Sequence, residues 1–120
     1  MNVLIVENRR ELGLLWARHL ERQGALVTIV TSQEAATEAL CNGSFDVIVL
    51  DLVLEGGSAL AISDFASYRR PEARVIFVTN TSFFSDGSIF AHSKNACAYV
   101  PMRTPPEDLA AMVEHYAAAR

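Results

Sequence analysis

The sequence predicts an α/β protein, a (βα)5 chain folded into one doubly wound five-stranded parallel sheet. Three observations lead there. Short runs of Val, Ile and Leu recur along the 120 residues, and each is too short to be a helix. Runs this uniformly apolar suit strands covered on both faces, as in a parallel sheet. Segments with helical spacing of apolar residues alternate with them, and parallel strands joined by helices require right-handed crossovers.

The strands are expected at Val3–Val6, Leu26–Val30, Val47–Leu50, Val75–Val78 and Ala98–Val100. In the first helix Leu12, Leu15, Trp16 and Leu20 fall on one stripe, and Gly24 stands where a helix should stop. Thr31 and Glu34 have capping-box spacing ahead of a second helix over Ala35–Cys41, with Gly43 behind it. Ile62, Phe65 and Tyr68 mark a third helix, ended by Pro71. Ser82–Asn95 is expected to be a short helix, weakened by Gly87 and several serines, with Phe83, Phe84, Ile89 and Phe90 as its apolar residues. Two of the three phenylalanines are expected in the core and one at a partner surface. Thr104-Pro105-Pro106-Glu107 is another capping box, with proline at the first helical position, and Leu109, Met112, Val113 and Tyr116 form the last apolar face.

At 51% hydrophobic residues, the chain can bury a sizeable core, and its length suits a single domain, residues 1–120. A net charge of −4 argues against direct nucleic-acid binding. No segment has the length of a membrane span or the pattern of a signal peptide, so a cytoplasmic protein is expected. Cys41 and Cys97 are too far apart in sequence for metal-ligand spacing and are expected to be reduced, buried thiols. His19, His92 and His115 lack partners at metal spacing and are read as ordinary surface or core residues. Trp16 is read as core.

In doubly wound sheets ligands bind outside the carboxyl ends of the strands. The expected strands run there into Glu7-Asn8, Asp51, Thr79 and Pro101-Met102-Arg103. Glu7, Asn8 and Asp51 would converge into an oxygen-rich pocket of the kind that suits Mg2+. Asp51 directly follows a buried strand, which is costly for a carboxylate unless it is solvated or paired. It is either a nucleophile for a phosphoryl group or a helix-capping, loop-bonding residue. Thr79 is either a capping hydroxyl or a donor to a phosphoryl oxygen.

Val3-Leu4-Ile5-Val6-Glu7-Asn8, Asp46-Val47-Ile48-Val49-Leu50-Asp51-Leu52 and Val75-Ile76-Phe77-Val78-Thr79 resemble the first, third and fourth strand motifs of response-regulator receiver domains of two-component systems. Tyr99 and Pro106-Glu107-Asp108-Leu109 resemble the family's fifth strand and the start of its last helix. The resemblance covers essentially the whole chain. It implies a flavodoxin-like strand order of 2-1-3-4-5 and a signalling domain rather than an enzyme. It further implies Asp51 as the phospho-acceptor, and Glu7, Asn8, Asp51 and the Val53 carbonyl around Mg2+. Thr79 and Tyr99 would be the switch residues. The phosphoryl donor would be a histidine kinase or phosphotransfer protein. A downstream protein would dock on the face built from the fourth helix, the fifth strand and the last helix, where a homodimer could also form.

Several positions depart from that pattern. Asn8 replaces the second acid, so Mg2+ affinity should fall. Met102 stands at the family's lysine and offers no cationic donor. Arg103 stands at the following proline, which makes a cis bond there unexpected, and it would supply the missing charge only if the loop slipped by one residue. Glu55 takes the place of a proline, and Asn80 that of a small residue. Three functions therefore compete: a phosphorylatable receiver, a pseudo-receiver that binds partners without phosphate, and a flavodoxin-like cofactor carrier. The last is disfavoured because Glu7 would repel a phosphate at the first loop. Because the sequence ends shortly after the last helix, no output domain is expected within it.

Overall fold

The computed structural model describes residues 1–79 and 94–118. The elements run β1 (Asn2–Val6), α1 (Arg10–Arg22), β2 (Leu26–Val30), α2 (Gln33–Asn42), β3 (Val47–Asp51), α3 (Ala59–Arg69), β4 (Arg74–Thr79), β5 (Ala96–Pro101) and α4 (Pro106–Ala118). The five strands form one parallel sheet in the order β2-β1-β3-β4-β5, as expected. Of the five helices expected, four lie among the described residues. Most of the expected Ser82–Asn95 helix lies outside them, as do Asn80, Phe83, Phe84, Phe90 and His92; Lys94 and Asn95 form a turn into β5.

Side chains of a strand alternate between the two faces of a sheet, and that alternation sorts the core into two layers. Leu4, Val6, Ile48, Leu50, Val75 and Phe77 face α2 and α3, where Leu40, Ile62 and Ala66 meet them. Val3, Ile5, Val47, Val49, Ile76 and Val78 face α1 and α4, where Trp16, Leu20, Leu109 and Val113 meet them. The residues of β1 from Val3 onward and all of β3 are buried. That explains their unbroken apolar runs.

Several sequence expectations are corrected by packing. β2, at the edge that the expected order gives it, is not covered on both faces, and its Leu26 is 72% exposed. The buried stripe of α1 is Gly13, Trp16, Ala17 and Leu20, whereas Leu15 lies exposed. Small Gly13 and Ala17 let the helix approach the sheet, a signal that the spacing of large residues misses. Tyr68 is likewise exposed, and Ala59, Ile62, Ser63 and Ala66 form the inner side of α3. The N-cap of α2 is Ser32, not Thr31; its hydroxyl accepts from the Ala35 N–H at 3.1 Å. Thr104 donates its hydroxyl to the Pro101 carbonyl at 2.7 Å, and its side chain closes the turn after β5 instead of capping α4. Cys41 is exposed at the end of α2, where Arg69 and Arg70 donate to the Cys41 and Leu40 carbonyls at 3.1 and 3.0 Å. Cys97 is half-buried, and burial pushes its thiol up to about 11. Gly24 ends α1 as expected, with a φ of +90° that favours glycine.

Candidate functional site

Adjacent parallel strands deliver their carboxyl ends to one edge. Val6 pairs with Leu50, and Asp51 with Val78, so the residue after β1 comes to rest beside the residue that closes β3. Glu7 continues the face of Val3 and Ile5, and Asp51 that of Val47 and Val49. Both carboxyls therefore emerge on the α1–α4 side of the sheet, next to each other. The Glu7 N–H donates to the Val30 carbonyl at 3.1 Å, which extends the strand ladder and anchors the side chain. Gly13 of α1 packs over it: a Cβ there would lie 3.8 Å from the Glu7 Cβ.

Glu7 has no exposed surface. Its Oε1 accepts the Arg9 N–H at 3.0 Å, while its Oε2 is buried without a partner. Burial, together with the neighbouring Asp51 carboxyl, pushes the carboxyl up to about 7 against the opposing Arg9 N–H and guanidinium. A carboxylate oxygen in that position calls for a proton or a cation.

Asp51 is 2% exposed. Its Oδ1 accepts the Val53 N–H at 2.9 Å, a bond that turns the chain out of β3 and orients the carboxylate. Thr79 closes β4, the strand next to β3, and is buried. Tyr99 sits on β5 opposite Phe77 and packs, partly buried, against the α2–α3 layer.

Asn8 spans the site to the loop after β3. Its amide nitrogen donates to the Val53 carbonyl at 2.6 Å, and its amide oxygen accepts the Glu55 N–H at 3.0 Å. A second side-chain amide holds the same loop farther on: Gln33 Oε1 accepts the Ser58 N–H at 2.8 Å. Gly57 is required under this clamp, since a Cβ there would lie 2.8 Å from the Gln33 Cβ. Ser58 then caps α3 by accepting the Ala61 N–H at 3.1 Å. The loop carrying the Val53 carbonyl is thus tied down from both sides by side-chain amides.

Met102 N–H donates to the Thr79 carbonyl at 2.7 Å, which keeps β5 in step with β4 beyond its last pair. Its thioether packs on the α1–α4 layer and accepts from Arg9 Nη1 at 2.7 Å. Arg103 is exposed. No cis peptide bond occurs among the described residues.

The residues that sequence reasoning passed over are Arg9 and Gln33. Arg9 was legible only as half of an arginine pair after Asn8. Nothing in the spacing of Gln33 from Ser58 marks them as partners. The tertiary fold alone brings these residues to the site.

Among the described residues no group of three or more His, Cys, Asp or Glu gathers. The carboxylates of Glu7 and Asp51 still fit Mg2+, which keeps several waters and takes one or two carboxylates. The unpartnered Glu7 Oε2 is the observation that favours a cation here.

A doubly wound sheet of this order, with paired carboxyls at the ends of its first and third strands, defines the class of flavodoxin-like α/β domains. The chain belongs to the response-regulator receiver domain family, whose model matches residues 3–114. It is 32% identical over 115 residues to the transcriptional regulatory protein RstA of Escherichia coli K12, covering 92% of this chain and 46% of that protein. The chain thus spans about half the length of this relative. Among solved structures it resembles a CheY-like receiver domain protein from Methanospirillum hungatei (TM-score 0.88, 21% identity, 97% of this chain and 92% of that one). It also resembles the response regulator TrrA of Thermotoga maritima in complex with Mg2+-BeF (TM-score 0.82, 19% identity, 96% and 97%). At these identities the structural likenesses concern the fold. No helix of the described residues is long and apolar enough to cross a membrane.

Proposed function

We propose that this chain works as a phosphoryl-accepting receiver in the cytoplasm, with residues 1–120 acting as one domain and Asp51 as the acceptor. The supporting observation is the side-by-side placement of the Glu7 and Asp51 carboxyls, with one Asp51 oxygen oriented by the Val53 N–H. The other Asp51 oxygen is then the nucleophile. It bonds to phosphorus as the bond from phosphorus to a donor nitrogen breaks, and the electron pair leaves with that nitrogen. A histidine kinase or phosphotransfer protein is the donor.

Glu7, Asp51 and the Val53 carbonyl would hold Mg2+. Asn8 would join them through its amide oxygen, which also accepts the Glu55 N–H. When bound, the ion neutralises charge on the transferring phosphoryl oxygens. Asn8 adds no charge, so affinity should be lower than with two acids. Thr79 would move toward the phosphoryl group and Tyr99 would turn inward with it. The face of β5 and α4 would then dock a downstream protein or a second copy of the chain; the fourth helix of the expected docking face lies outside the described residues.

The test is incubation with Mg2+ and a small phosphodonor, followed by intact mass. The expected result is a gain of one phosphoryl group that Asp51→Asn does not show. No gain, or a gain that persists in Asp51→Asn, sinks the proposal.

A second reading, a pseudo-receiver acting without phosphate, is favoured by the Asn8 bridge, since an uncharged amide joins the end of β1 to the loop after β3. Asn8→Asp separates the two. It removes the donor to Val53 and adds a negative charge, so the metal-free protein should lose ~1–3 kcal/mol of stability. Mg2+ affinity should rise by about tenfold or more, because ligand charge sets affinity at hard-oxygen sites. Urea unfolding and calorimetric titration measure both. An unchanged Mg2+ affinity would support the pseudo-receiver.

A further inference from the structure

We propose that Arg9 supplies the phosphoryl-binding cation of this site, reaching from the β1–α1 loop to the place where the family's lysine would come from the end of β5. The inference rests on the reading of Asp51 as phospho-acceptor and adds a residue to it. Two features converge on Arg9. Its backbone N–H is bound to Glu7 Oε1 at 3.0 Å, so its position is tied to the carboxyl pair. Its Nη1 lies 2.7 Å from the Met102 sulfur, the residue at the family's lysine position.

A guanidinium carries five N–H donors in a planar fork, and a thioether is a weak acceptor with no charge. Parked on Met102, Arg9 has donors left to give. The fork matches a phosphoryl group, to which two parallel N–H bonds can be made. Met102 acts as a rest for the guanidinium: it holds the head near the rim without competing strongly for it. A lysine at 102 would repel Arg9 from this place, so a methionine there and an arginine at 9 are mutually consistent. The side chain is exposed, so its head can reach a group bound at the rim.

The experiment uses the full chain, unchanged and as Arg9→Ala, Arg9→Gln, Arg103→Ala and the double variant Arg9→Ala/Met102→Lys. Beryllofluoride with Mg2+ is titrated by NMR, and phosphoramidate labelling is followed by intact mass. Arg9→Ala should weaken beryllofluoride binding by about tenfold or more, the scale of one charge-assisted hydrogen bond, and slow labelling in step. The double variant should regain most of the loss, because it returns a cation to β5. Far-UV circular dichroism accompanies each variant, and Arg9→Gln gives the same reading should Arg9→Ala fail to fold. If the unchanged chain is labelled and both Arg9 variants match it, Arg9 has no such role while the reading of Asp51 survives. Loss in Arg103→Ala but not in the Arg9 variants assigns the cation to Arg103 and overturns the inference. An unchanged chain that takes neither label nor beryllofluoride overturns both.

Discussion

Glu7→Gln is expected to stabilise the metal-free protein at pH 8 by ~1–3 kcal/mol and to weaken Mg2+ binding at least about tenfold. Glu7 has no exposed surface and faces a second carboxyl, and its pKa rises from 4.5 to about 7 in the folded chain. The folded state therefore holds a proton between pH 4.5 and 7 that the unfolded state has lost. Stability conferred by the protonated group is fully present below that window, is lost as pH rises through it, and stays lost above. Glutamine removes the titration, and its amide can donate to Asp51 at any pH. Urea unfolding should show a gain at pH 8 that shrinks toward pH 5. In the unchanged protein Mg2+ affinity should fall by roughly tenfold between pH 8 and pH 6, since the ion and the proton compete for the same carboxylate. The Glu7→Gln protein should show no such slope. A variant less stable than the parent at pH 8 would contradict the burial argument.

Trp16→Ala should cost ~3–5 kcal/mol, the usual range for removing a fully buried large aromatic. Trp16 is among the largest fully buried side chains and sits where α1 meets Val3, Ile5 and Val49. Trp16→Phe should cost much less, about 1 kcal/mol. The smaller ring leaves a cavity, but it also deletes the indole N–H, which is buried without a partner. Urea unfolding followed by circular dichroism suits both variants, as fluorescence loses its reporter. If phenylalanine proves as costly as alanine, the indole N–H is satisfied in solution and the account of α1 packing needs revision.

Both predictions depend on features of different legibility. Strands β1, β3 and β4 were readable because they are covered on both faces, so nearly every residue must be apolar and the pattern is local. Asp51 and Glu7 stood out because a carboxylate right after such a strand is energetically conspicuous. The inner side of α1 was misjudged at Leu15, because close approach to the sheet selects Gly13 and Ala17, and small residues leave no trace in a pattern of large ones. β2 was taken as covered because its composition resembles that of β1, although the expected strand order already set it at the sheet edge, where Leu26 stays exposed.

What the sequence determined by itself was the alternation of strands and helices and the carboxylates, amide and hydroxyl that strand ends would carry. Burial demands and strand periodicity act over a few residues, so they are written locally. Only the tertiary structure decided that the Asn8 amide would bridge Val53 and Glu55, that Gln33 would hold Ser58, and that Arg9 would lie on Met102. Those bonds join residues between 25 and 93 positions apart, and such contacts exist only once the sheet has brought its loops to one edge.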